Sequence, residues 1–194
     1  MTDLELIEQI KNGNTNSFRF LVNKYQKLVW VMVWRMVPRQ QDAEDLCQEV
    51  FLRVFKSIRH FRGDSKLSTW IGSVTYNTCI DFIRKKGSEK VVLADNNPGM
   101  TDVVLKMPEA ANPFDLLQKD EVKNMVHELI AQLPVHYRTV ITLFYLGEFS
   151  LKEIEEITSM QEGTIKSYLN RGRNLIREAF QSYMMKNTRE DLNF

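Results

Sequence analysis

Residues 161–178 read QEGTIKSYLNRGRNLIRE, the most legible stretch of the chain. From Gly163 to Arg177 it holds four bases, Lys166, Arg171, Arg173 and Arg177, and no acid. Ile165, Leu169, Gly172 and Ile176 recur at the spacing of one inner helical stripe, with the glycine at a point where two helices can touch closely. Lys166, Ser167, Asn170, Arg171, Arg173 and Asn174 fall on the opposite face. Just upstream, Ser150-Leu151-Lys152-Glu153 is a capping box: the serine oxygen accepts from an early helical N–H and the glutamate reaches back to the cap. A helix therefore begins at about Leu151, buries Leu151, Ile154 and Ile157, is interrupted at Thr158-Ser159, and gives way to a second helix from about Glu162. Two short helices joined by a tight turn, the second basic outward, describe a helix-turn-helix.

A merely solvated helix face usually mixes signs to gain i,i+4 pairs, whereas this one sets bases beside Asn and Ser, which hydrogen-bond base edges. The expectation is DNA contact. Lys and Arg would meet phosphates, while Ser167, Asn170 and Arg171 reach into the major groove. A basic protein-binding face is the other reading.

Elsewhere the apolar residues also recur at threes and fours: Phe18, Leu21, Val22, Tyr25, Val29 and Met32; Leu46, Val50, Phe51, Val54 and Ile58; Trp70, Ile71, Val74, Ile80 and Ile83. That period favours helices, and no convincing alternating strand pattern appears. Between Ser88 and Asp115 the periodicity stops, and that stretch holds three of the five prolines and the turn signal NNPG. The fold class expected is all-α, two small helical domains joined by a flexible linker: a first domain over 1–90, a linker over 91–115, a second domain over 116–185 and a tail over 186–194.

Net charge is +1, which alone says nothing about nucleic acid, but its distribution is uneven. Residues 1–87 carry 14 bases and 9 acids, residues 88–121 carry 3 and 7, and residues 122–194 carry 9 and 9. Any polyanion is therefore met at patches. No run approaches the roughly 18 apolar residues of a membrane span, and MTDLELIEQ lacks the layout of a signal peptide, so a soluble, cytoplasmic protein is expected. Cys47 and Cys79 lie inside helical patterns, which points to buried free thiols. His60, His127 and His136 are far apart in sequence. No HExxH, GxSxG, phosphate-binding glycine loop or metal-ligand spacing appears, so no enzyme, metal or cofactor is expected.

A second nucleic-acid candidate is FRGDSKLSTWIGSVTYNTCIDFIRKK, residues 61–86. From Arg53 to Lys86 there are eight bases against two acids, Asp64 and Asp81, with Phe61, Trp70 and Tyr76 interleaved. Bases with aromatics suit an unstacked single strand. Trp70 shares an apolar stripe with Val74, so core packing is its first expectation.

Four segments together, DAEDLCQEVFLRVF (42–55), FRGDSKLSTWIGSVTYNTCIDFIRKK, LPVHYRTVITLFYLGEFSLKEIEEI (133–157) and EGTIKSYLNRGR (162–173), resemble bacterial RNA polymerase sigma factors of the extracytoplasmic-function (ECF) group of the sigma-70 family, in that family's order. The resemblance covers nearly all of residues 4–180. It implies an alternative sigma factor that binds core RNA polymerase and directs promoter recognition, DNA melting and transcription initiation, without catalysis of its own. Asp45, Gln48, Glu49 and Arg53 would dock on the polymerase clamp. Phe61, Arg62, Gly63, Ser65 and Lys66, with Asn77, Asp81 and Arg84 on the following helix, would meet the melted minus-ten element; Asp81 could equally orient Arg84. Thr164, Lys166, Ser167, Asn170, Arg171 and Arg173 would read the minus-35 element. The resemblance also implies an anti-sigma factor as partner, in many cases membrane-anchored, and a protein that is monomeric when free. Ser159 stands where the family commonly has a turn glycine, and Gln161 where a better cap is usual, which implies a loosely started second helix. A freestanding helix-turn-helix regulator would account for 150–178 and leave 42–86 without a role.

Overall fold

In the structure, a computed structural model, residues 2–37, 40–86 and 128–190 are described. The linker expected at 91–115 lies outside them. Helix α1 (Asp3–Lys11) opens on a capping box, with the Thr2 hydroxyl accepting from the Glu5 N–H and the Thr2 N–H donating to the Glu5 carboxylate at 2.8 Å. Helix α2 (Thr15–Met36) is capped by Asn14, whose side-chain oxygen accepts from the N–H groups of Asn16 and Ser17. Helix α3 (Gln40–Ser57) runs into a 3-10 turn, Ile58–His60, and a short loop leads to α4 (Leu67–Lys86).

These elements form the first domain. Leu21, Val29 and Val33 of α2, Val50 and Val54 of α3, Ile58, and Ile71 and Cys79 of α4 are wholly buried together. At about 1.5–3 kcal/mol for each large aliphatic side chain taken out of water, this core outweighs any single surface interaction. On α3 the buried positions are Ala43, Leu46, Val50 and Val54, spaced three and four apart, which turns the Asp45, Gln48 and Glu49 face to solvent.

The second domain follows from a helical turn at 128–132. Pro134 starts α5 (Val135–Ile141), which widens into a π turn at Thr142–Leu146. Then come α6 (Leu151–Thr158) and α7 (Glu162–Glu190). Ile130, Val140, Ile141, Ile154 and Ile165 are wholly buried between them. Helix α7 continues to Glu190; neither glycine nor proline occurs after Arg173 to stop it. Among the described residues the architecture is all-helical and two-domain, as the periodicities imply.

The two domains touch. Helix α4 of the first packs along α6 of the second, and α2 meets α5 and the π turn.

Candidate nucleic-acid interface

The capping box, the tight turn and the inner stripe read into the helix-turn-helix have structural counterparts, whereas Leu151 is only half-buried and the second helix, at 29 residues, is not short. The Ser150 hydroxyl accepts from the Glu153 N–H at 3.3 Å, and the Ser150 N–H donates to the Glu153 carboxylate at 2.8 Å, closing the expected capping box. Helix α6 ends at Ser159, which takes the left-handed conformation with φ +59° and whose N–H donates to the Glu155 carbonyl. The serine thus makes the turn a glycine would make more cheaply. The Thr158 hydroxyl accepts from the Met160 N–H in the turn, and the Gln161 carbonyl accepts the Ile165 N–H at 3.1 Å as the first backbone bond of α7.

Helix α7 is seated through its backbone. A Cβ at Gly172 would lie 3.0 Å from Ile141 Cγ1 and 3.5 Å from Tyr137 Cβ, so a glycine is what lets α7 approach α5. Tyr168 packs edge-on against Tyr137, ring centroids 5.1 Å apart, and stacks over His136 at 5.9 Å. Tyr168 and His136 therefore help hold the helix. Outward, Lys166 and Arg171 are exposed, while Thr164, Ser167, Asn170 and Arg173 are half-buried along the same helix. The Arg173 Nε donates to the Leu169 carbonyl at 3.3 Å. Lys166 lies 2.6 Å from the Glu162 carboxylate, one turn earlier, so the basic face opens on an acid just before the stretch read as acid-free.

In the first domain the expected residues separate into two groups. Arg62, Gly63 and Lys66 are exposed and Ser65 half-buried on the loop before α4, where Gly63 has φ +82°. Phe61 departs from expectation. It is only 7% exposed, its ring 5.2 Å from that of Trp70, so it anchors the loop in the core instead of facing a strand. The Phe61 carbonyl accepts from Lys11 Nζ at 2.9 Å, a tie from α1 that sequence reading did not find. Asn77 and Arg84 are exposed on α4. Asp81 bonds Arg53 at 3.1 Å, and Arg53 also donates to Glu49 at 2.8 Å. The carboxylate thus orients the α3 guanidinium and cross-links α3 to α4. The Glu49 hydrogen bond foremost, then that of Asp81, raises the Arg53 pKa, so the cation is secure.

Beside Asp45, Gln48 and Glu49, the face of α3 carries two exposed apolar side chains, Leu52 at 54% and Phe55 at 47%; the Phe55 ring meets Phe18 edge-on. They were missed in the sequence. The signal was there: Val50-Phe51-Leu52 places three apolar residues in a row, and a helix cannot turn all three inward.

Comparison with known proteins gives two family matches, "Sigma-70 region 2" over residues 21–89 and "Sigma-70, region 4" over residues 123–176. The chain is 34% identical over 174 residues to the ECF RNA polymerase sigma factor SigW of Bacillus subtilis (strain 168), covering 89% of this chain and 93% of that one. The chain belongs to the ECF group of sigma-70 factors. To the ECF RNA polymerase sigma-E factor of Escherichia coli (strain K12) this sigma factor is 32% identical over 180 residues, 91% of its own length and 93% of the other. Two solved structures share its fold: CnrH in complex with the cytosolic domain of CnrY (TM-score 0.65, 17% identity, 93% of this chain and 97% of that chain) and the sigma factor RpoE in complex with the anti-sigma factor NepR from Bartonella quintana (TM-score 0.63, 22% identity, 84% and 96%). In this sigma factor the region 2 match takes in most of α2 and all of α3 and α4, and the region 4 match takes in the helix-turn-helix. No helix among the described residues is long and apolar enough to cross a membrane.

Proposed function

We propose that this ECF sigma factor docks on core RNA polymerase through the outer face of α3, with Asp45, Gln48 and Glu49 as polar contacts and Leu52 and Phe55 as the apolar part. Arg53 shapes that face by holding Glu49. The loop residues Arg62, Gly63, Ser65 and Lys66, with Asn77 and Arg84 on α4, take the unpaired minus-ten strand. Lys166, Ser167, Asn170, Arg171 and Arg173 on α7, with Thr164 at its start, take the minus-35 duplex. The observation that carries this reading is a helix-turn-helix whose second helix is mounted by Gly172 with its polar, basic side outward, in one chain with a separate acidic and apolar helix face.

The mechanism is non-catalytic and needs no cofactor. Contacts to the two promoter elements and to the polymerase together stabilise an open duplex, offsetting the few kcal/mol of each unstacked base. The protein works in the cytoplasm, where core polymerase and the chromosome are, and is monomeric when free. Both solved relatives above are complexes, one of them with an anti-sigma factor, which supports a protein of that kind as the regulator of this chain. The domain limits that go with this function are 1–90, 91–115 and 116–185.

Titration of fluorescently labelled protein with bacterial core RNA polymerase, with an unlabelled sigma factor as competitor, tests the reading. Saturable binding that the competitor displaces is expected; no binding would return the chain to a freestanding regulator.

A further inference from the structure

The loop assigned above to the minus-ten strand is held at its ends and open at its tip. At the far end the Lys66 carbonyl accepts the Trp70 N–H at 3.0 Å, in the first turn of α4. Between the ends, Arg62, Gly63 and Asp64 are exposed, and a Cβ at Gly63 would have no atom within 4 Å. No packing against a neighbour shapes the chain there. The direction in which the backbone leaves the near end, Phe61, therefore decides where the loop side chains stand.

Phe61 is fixed at three points. Its ring is buried against Trp70, its N–H donates to the Ile58 carbonyl at 3.1 Å, and its carbonyl accepts from Lys11 Nζ at 2.9 Å. Ring and N–H constrain the residue only as far as its Cα. The next rotation, ψ of 121°, turns the rigid peptide plane that joins Phe61 to Arg62, and the Lys11 bond holds that plane.

Lys11 comes from outside the residues that match region 2, which begin at 21. It stands in the last turn of α1, where an ammonium ordinarily serves the helix's own last carbonyls. Here it reaches a residue fifty positions away. Helix α1 does not depend on that bond for its seat. Leu6, Ile7 and Ile10 are buried, and the Asp3 carboxylate accepts from Lys24 at 2.6 Å and from the Tyr25 hydroxyl at 2.8 Å. Three buried aliphatic side chains outweigh one hydrogen bond from an exposed ammonium, so the bond acts mainly on the loop.

We infer that Lys11 is a positioning residue for the minus-ten strand: by holding the Phe61 carbonyl it sets the course of residues 62–66, and α1 thereby takes part in selecting the strand. The inference rests on the assignment of that loop to the strand. Lys11 itself touches no nucleotide. Hydrogen bonds to bases depend on geometry, whereas attraction to phosphates tolerates displacement, so a loosened loop loses sequence preference before it loses affinity.

The test uses holoenzyme assembled from core polymerase and the full chain. The parent holoenzyme first enriches a strand from a random pool of fluorescein-labelled single-stranded DNA 12-mers. Lys11→Met, which keeps the stem and removes the donor, and Lys11→Arg, which restores one, are then compared on the enriched strand and on the unselected pool. Lys11→Met should bind the enriched strand about tenfold more weakly and the pool within about twofold of the parent, with Lys11→Arg close to the parent on both. Asp3→Asn loosens the other end of α1 and should keep the preference. An unchanged preference in Lys11→Met would overturn the inference. So would equal weakening on strand and pool with a shallower salt slope, which would make Lys11 a phosphate contact, or an equal loss of preference in Asp3→Asn, which would make the seat of α1 the cause. If the parent holoenzyme enriches no strand, the assignment of the loop falls and the inference with it; enrichment without any effect of Lys11→Met sinks the inference alone.

Discussion

Glu153 and Lys66 lie 3.0 Å apart across the two domains, and the same carboxylate accepts the Ser150 N–H and hydroxyl at 2.8 and 2.7 Å. One side chain thus starts the first helix of the helix-turn-helix and tethers it to the first domain. Burial raises its pKa, but the hydrogen bonds of Ser150 and the Lys66 ammonium outweigh that and hold it at about 2, against an ordinary 4.5.

The sign of the resulting pH dependence follows. A carboxylate with a depressed folded-state pKa contributes stability that is present above about pH 4.5 and is lost as the pH falls toward 2. Its share is on the order of 2 kcal/mol after allowance for solvent screening. Urea midpoints measured from pH 7 to pH 3 should fall for the parent and fall less for Glu153→Gln; parallel curves would show that Glu153 is not the titrating group.

Ser159→Gly should stabilise the second domain. The left-handed conformation at φ +59° costs a residue with a Cβ about 1 kcal/mol relative to glycine, offset in part by the freedom glycine has when unfolded. A net gain of some tenths of a kcal/mol is expected in thermal melts, with no change in secondary structure. A loss would mean that the serine hydroxyl does more at this turn than the backbone explains.

The two thiols should be unreactive. Burial foremost, with help from Glu44, pushes Cys47 up to about 11, and burial pushes the fully enclosed Cys79 higher still. At pH 8 only about one Cys47 in a thousand is then a thiolate. Iodoacetamide should label the native protein far more slowly than the protein in 6 M urea. Rapid native labelling would show that α3 opens locally.

Substitutions on α3 and α7 should separate the two kinds of binding. Asp45→Lys is expected to weaken polymerase binding roughly tenfold or more through a reversed charge in the contact, leaving DNA contact by the second domain intact. Arg171→Ala should leave polymerase binding unchanged and cost about 1–3 kcal/mol of promoter discrimination if it reads a base, or reduce the salt slope if it meets a phosphate. Co-purification with polymerase and footprinting of the resulting holoenzyme distinguish these outcomes.

Much of this was legible in the chain. The Ser150–Glu153 cap, the Ile165–Ile176 stripe and the closeness at Gly172 are local patterns, and local patterns survive folding. The fate of Phe61 was not legible, because whether an aromatic beside a basic loop faces a strand or the core depends on Trp70 and on Lys11, fifty residues earlier. Asp81 was ambiguous for the same reason, its partner Arg53 being on another helix. The junction was invisible. Nothing in the spacing of Lys66 and Glu153 says that they meet, since helical periods describe which way a side chain faces and not what comes to face it.

Gly172 carries a consequence for fidelity. With Ile141 only 3.0 Å from where a Cβ would be, α7 rests on its neighbour almost backbone to side chain. Such a mounting has little play. Lys166, six residues toward the N-terminus, sits about 9 Å along the axis from that pivot, so a tilt of about 5° at Gly172 displaces that end by about 0.8 Å. Hydrogen bonds to base edges lose their value over some tenths of an ångström. On the proposed role of α7, a slightly larger residue at this position, though far from any base, would blur promoter choice before it unfolded the domain.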